Sequence, residues 1–98
     1  MKIEKTVNEA ETVLKLNGCL DTAATPEFAA ALEAVANVPS LVIDFGGVEF
    51  VASSGLRLLV AANKQAVASG RTIALTGMNE VVADVFDVTG LNEVFTIR

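Results

Sequence analysis

The chain contains no histidine, no tryptophan and no tyrosine, a single cysteine and two prolines. Without histidine there is no Ser-His pair to activate a nucleophile, no imidazole base and no histidine-based zinc site, which excludes much of hydrolytic enzymology. The one cysteine, Cys19, has no partner for an internal disulfide, so the expected compartment is a reducing one, the cytoplasm. No apolar run approaches the ~20 residues needed to cross a bilayer. The longest, around Leu58 to Ala62, is bracketed by Arg57 and Lys64. The N-terminus carries Lys2, Glu4 and Lys5, unlike a signal peptide. Cations are few: 7 basic against 12 acidic residues give a net charge of −5. Nucleic acids and anionic membrane surfaces both call for basic patches, so neither is an expected partner. Nothing in the composition implies a metal or cofactor.

What is present is apolar and compactly organised. With 98 residues, 52% hydrophobic and 19% charged, the chain has the makings of one globular domain over 1–98 and no second core. Ile3–Val7 and Thr12–Leu16 are short β-branched segments around Asn8-Glu9-Ala10, which predicts an antiparallel hairpin. Asn17-Gly18 is a break. Thr25-Pro26-Glu27 predicts a helix start capped by Thr25, running to about Asn37 with Phe28, Leu32 and Val35 on one face. Leu41–Phe45 is a nearly continuous apolar run, as in a strand covered on both faces. After Gly46-Gly47 and a brief apolar segment, Val48–Val51, a second helix is expected from Leu56 to about Ser69. Its inward face is Leu56, Leu59, Val60, Asn63 and Val67, and Gly70 stops it. Thr72–Thr76 predicts a strand, Asn79 caps a third helix bearing Val82, Val85 and Phe86, Gly90-Leu91 ends it, and Val94–Ile97 closes with a short strand. The order is β-β-α-β-α-β-α-β, an α/β fold whose mixed β-sheet is flanked by helices.

One stretch has chemical character. Val51-Ala52-Ser53-Ser54-Gly55-Leu56-Arg57 places two hydroxyls between a strand and a helix. The first amides of a helix lack internal partners and lie at the positive end of its dipole, a favourable place for an anion. Taken alone, a serine there is most often a helix cap contributing about 1 kcal/mol. An esterase nucleophile is excluded by the missing G-x-S-x-G spacing and missing histidine. A P-loop is excluded by the missing G-x-x-x-x-G-K-[ST]. Cys19 reads as a small partly buried side chain, Asp44 as a turn residue, and Arg57 and Lys64 as a solvated helix face, although Arg57 could touch a partner.

Residues 42–56, Val42-Ile43-Asp44-Phe45-Gly46-Gly47-Val48-Glu49-Phe50-Val51-Ala52-Ser53-Ser54-Gly55-Leu56, resemble the central signature of STAS domains of the anti-sigma factor antagonist type. The likeness extends to the turn Gly18–Asp21 and to Val85-Phe86-Asp87-Val88-Thr89-Gly90-Leu91, nearly the whole chain. It implies a STAS-like fold and a binding module rather than an enzyme. By that resemblance Ser53 is the phosphoacceptor of a serine kinase that is also the anti-sigma factor. Ser54 helps shape the site, and Asp21 is the acidic residue of the neighbouring turn. The expected partner face is Asp21, Thr22, Ser53, Ser54, Gly55, Leu56 and Arg57: docking there frees the sigma factor, phosphorylation of Ser53 releases the kinase, and a phosphatase resets the switch. Ala52 stands where that family often has Asp, and Cys19 where Glu is usual; the chain also ends at Arg98 without the C-terminal helix many relatives carry. A STAS subunit of a transport or signalling complex, binding without serine phosphorylation, is the alternative.

Overall fold

Asn8 shows how local chemistry sets the first turn. Its side-chain oxygen accepts hydrogen bonds from the amides of Ala10 and Glu11, and its own amide donates to Glu11 O, so the chain reverses there. The reversal joins β1 (Lys2–Val7) to β2 (Thr12–Leu20) as an antiparallel pair in a computed structural model that describes residues 1–98. Then follow α1 (Thr25–Ala34), β3 (Ser40–Val51), α2 (Ser53–Ala68), β4 (Thr72–Thr76), α3 (Glu80–Val88), a 3₁₀ turn at Leu91–Glu93 and β5 (Thr96–Ile97). The sheet order is β1-β2-β3-β4-β5, with β2 through β5 parallel.

Each crossover advances one strand in the same direction, so right-handed connections put all three helices on one face. Side-chain alternation agrees. Leu14, Leu41, Ile43, Phe45, Ile73 and Leu75 form one core cluster with Phe28 and Val35 of α1, Leu59 and Ala66 of α2, and Val82 and Phe86 of α3. Val42, pointing the other way, is buried yet lies outside that cluster. The expected strand with helices on both sides is therefore corrected: Leu41–Phe45 is apolar throughout because it is central, while its helices cover one side. Phe86 makes edge-on contacts with Phe45 and Phe95 at 6.1 Å between centroids, locking α3 onto β3 and the C-terminal segment.

Several other expectations change. Asn17-Gly18 lies within β2, where the pairing with β3 shifts register and Gly18 takes φ 110°, so it is a bulge rather than a break. Gly46-Gly47 likewise lies inside β3, which absorbs both apolar segments into one strand. A Cβ on Gly47 would overlap the Asn17 side chain, so that glycine serves close packing. Thr25 does not cap α1; Ala24 holds that position, and α1 ends at Ala34. The inner face of α2 is Gly55, Leu59 and Ala66, whereas Val67 is 68% exposed. The last strand shortens to Thr96–Ile97 because Leu91–Glu93 winds into the 3₁₀ turn.

Asn79 behaves as expected and does more. Its oxygen accepts from Val82 N at 2.8 Å, capping α3, and its amide donates to Val48 O at 3.0 Å, tying the helix to β3. Asn79→Ala removes both bonds and should cost about 2 kcal/mol. In a chain this size that lowers the melting temperature by roughly 10 °C, read by thermal circular dichroism.

Candidate functional site

The site is built where the parallel strands β2 and β3 end. Leu20 pairs with Val51, and one residue on, Ala52 N donates to Leu20 O at 2.8 Å, carrying the strand pairing to the edge of α2. Ala52 is extended (φ −83°, ψ 164°), and its carbonyl accepts from the amides of Gly55 and Leu56. It is the N-terminal cap residue of the helix. Ser53 is accordingly the first helical residue and not the cap, and no side chain caps this end. By position the amides of Ser53 and Ser54 lack helical partners. Ser53 is exposed and its hydroxyl makes no hydrogen bond to the protein; Ser54 is half-buried.

A second turn is stitched to this helix end. Asp21 Oδ1 accepts from Ala24 N at 2.9 Å, and the Asp21 carbonyl lies 2.9 Å from Thr25 Oγ1. Thr25 Oγ1 is also 3.1 Å from Ser54 Oγ. A hydroxyl has one proton and a carbonyl can only accept. Thr25 therefore gives its proton to Asp21 O and receives one from Ser54. Thr25, expected as a cap, is thus the link between the Asp21 turn and α2. Asp21 and Ser54 are joined through Thr25 at this junction; Ser53 precedes Ser54 in the chain, and Ser53 and Thr22 are both exposed.

Gly55 faces inward. A Cβ there would stand 2.7 Å from Leu20 Cγ and 3.3 Å from Val51 Cγ1, so the glycine lets α2 sit on the strand ends rather than meeting a partner. Leu56 is half-buried against the core, and exposed Arg57 lines a groove with Ser53.

The composition did not single out Glu49 or Phe50. Phe50 pairs with Cys19 at the strand ends and is 43% exposed. The Cys19 thiol donates to Glu49 Oε2 at 3.5 Å. Partial burial, that bond, and the Glu49 and Asp21 carboxylates all hold the thiol above its ordinary value, against a smaller opposing pull from the N-terminal amine. Cys19 should react with iodoacetamide more slowly than free cysteine near neutral pH, with a higher pH midpoint, and Glu49→Gln should lower that midpoint. A midpoint at or below that of free cysteine would contradict this placement. No group of three or more His, Cys, Asp or Glu side chains is arranged to hold a metal ion, and no helix is long and apolar enough to cross a membrane.

A family model described as "Mlab, STAS domain" matches residues 3–97. No curated protein matches the chain by sequence. Among solved structures, an anti-sigma factor antagonist from Mycobacterium paratuberculosis superposes with a TM-score of 0.90 at 24% identity, over 98% of this chain and 83% of that one. An anti-sigma-factor antagonist (STAS) domain protein from Planctomyces limnophilus gives 0.83 at 25% identity, over 98% and 87%. The phosphorylated form of the Bacillus cell fate determinant SpoIIAA gives 0.76 at 21% identity, over 99% and 91%. Such likenesses establish the fold, a five-stranded mixed sheet with three helices in the order read from the sequence.

Proposed function

The chain belongs to the STAS domain family, and from that premise we propose that it is an anti-sigma factor antagonist switched by phosphorylation of Ser53. The observation that carries this is the exposure of Ser53 on the first turn of α2, with its hydroxyl unbonded. An enzyme that transfers phosphate needs to reach that oxygen, and it is on the surface. In the transfer, Ser53 Oγ bonds to the γ-phosphorus of ATP, the bond to the bridging oxygen of ADP breaks, and the hydroxyl proton leaves to a base. That base belongs to the kinase, because this chain has no histidine and the Ser53 hydroxyl has no hydrogen-bonded side chain of its own chain to take the proton.

The partner is an anti-sigma factor with serine kinase activity, and a phosphatase returns the chain to its binding form in the cytoplasm. The face formed by Asp21, Thr22, Ser53, Ser54, Leu56 and Arg57 docks onto it, with Gly55 supporting from beneath. The domain itself acts by binding and carries out no catalysis. That a relative of the same fold exists in a phosphorylated form supports this reading. A second reading is favoured by the description of the matching family model, which names Mlab and not a sigma-factor pathway. In it the chain is a constitutive interaction subunit of a transport or signalling complex. Incubation with ATP and each candidate kinase, followed by peptide mass analysis, separates the two. One phosphate on the Ser53 peptide is expected; an unmodified peptide with every kinase that binds the chain would leave the second reading.

A further inference from the structure

Ser53 opens onto a groove unlike the rest of the surface. It runs between α2 and the segment joining α3 to the 3₁₀ turn, with a volume of about 450 Å³. Leu56 and Val60 of α2 face Leu91 across it, and Arg57 and Lys64 are its charged residues. No acidic side chain lines it, although the chain carries 12 acidic residues and a net charge of −5. Neither cation is engaged: the ion pairs of the molecule are Met1 with Glu27, Lys2 with Glu4 and Arg98 with Glu11. An unpaired positive strip along an apolar trough, on an otherwise acidic domain, attracts what the remaining surface repels.

We propose that this groove is the docking surface for the partner, and that its occupant is an amphipathic segment of the partner protein carrying carboxylates for Arg57 and Lys64. The proposal rests on the reading of Ser53 as the switch and supplies the chemistry of what is switched. Arg57 and Lys64 are seven residues apart on one helix, hence about 10 Å apart along its axis. A helix laid in the groove meets both with carboxylates seven residues apart, which lie on one helix face about 10 Å apart. Apolar side chains between them cover Leu56, Val60 and Leu91, as amphipathic helices do in other grooves. Ser53 lies one turn before Arg57 at the mouth of the same trough. A phosphate there brings a charge of about −1.5 to −2 and cancels the two positive charges the segment came for. Release is thereby loss of attraction as well as repulsion, with no change of fold.

The probe is a displayed library of random dodecapeptides panned on the unmodified chain. Enriched peptides should carry two Asp or Glu residues separated by apolar ones. A synthetic peptide of that sequence should bind about tenfold or more weakly to Arg57→Glu, Lys64→Glu and Ser53→Asp. Lys5→Glu, on the distant edge strand, should leave its affinity unchanged. Both groove cations are exposed, so circular dichroism should show the variants folded. Failure to enrich acidic peptides, or equal affinity for Arg57→Glu and wild type, overturns the proposal. So does concentration-dependent self-association abolished by Arg57→Glu, which assigns the groove to a second copy, whose α3 exposes Asp84, Asp87 and Val88. If the peptides bind as expected but Ser53 is never phosphorylated, the groove stands and the switch falls; the reverse pair of results removes the groove and keeps the switch.

Discussion

Ser53→Asp is expected to bind the anti-sigma partner about tenfold or more weakly than the unmodified chain, while Ser53→Ala binds it and is not released by ATP. The two variants divide the side chain's roles. The Ser53 side chain makes no hydrogen bond and is not the helix cap, so Ala at that position should change stability by no more than about 0.5 kcal/mol while deleting the proposed phosphate acceptor. Asp at the first helical position is tolerated by the domain for a physical reason: a carboxylate at the positive end of a helix stabilises by about 0.3–1 kcal/mol. The same charge pressed into a contact is another matter. Burying an unpaired ion costs several kcal/mol, and each 1.4 kcal/mol is about a factor of ten in affinity. Asp carries only about half the charge of a phosphoserine, so the loss it produces is a lower bound on the native effect. Unchanged affinity for the Asp variant, measured by titration calorimetry, would sink the charge-based switch.

Gly55→Val is expected to have the largest effect on the fold, lowering stability by about 3 kcal/mol and the melting temperature by roughly 12–24 °C. The new Cβ would stand 2.7 Å from Leu20 Cγ and 2.8 Å from Leu20 Cδ2, and Leu20 is fully buried. Leu20 cannot swing into solvent, so either its rotamer breaks or α2 lifts off the strand ends. Gain in helix propensity opposes this, but replacing Gly recovers at most about 1 kcal/mol, and a β-branched residue recovers less. The overlap wins. Lifting α2 also strains the bond from Ala52 N to Leu20 O and the Thr25–Ser54 link, so Ser53 moves with it. Gly55→Ala should show the same effect in weaker form. A Val variant melting within 2 °C of wild type, in a scan by circular dichroism, would mean the packing at this junction is looser than its geometry.

Signals that act within a few residues were legible. Asn79 caps α3 because its side chain reaches an amide three residues on, and Asn8 turns the hairpin in the same way. Signals decided by distant partners were not. Asn17-Gly18 and Gly46-Gly47 look like breaks in isolation, yet eight of the nine residues of β2 pair with β3 and hold both as strand. Thr25 precedes a proline as a cap should, but its hydroxyl finds the Asp21 carbonyl and Ser54 instead. At the site, the stretch from Ser53 to Arg57 could be singled out from its hydroxyls and its place before a helix. That Ser53 starts the helix while Ala52 holds the cap position follows from the end of the β2–β3 pairing, which no local pattern encodes. Glu49 beside Cys19, and the groove completed by Thr89 and Leu91, join residues about 30 positions apart, and only the folded sheet brings them together.

The central claim is that a phosphate on Ser53 leaves the domain folded and takes it off its partner. The most direct test is the dissociation constant of the partner complex, measured with the unmodified chain and with a chain carrying phosphoserine at position 53. A loss of affinity of about tenfold or more is predicted, and equal affinities would contradict it.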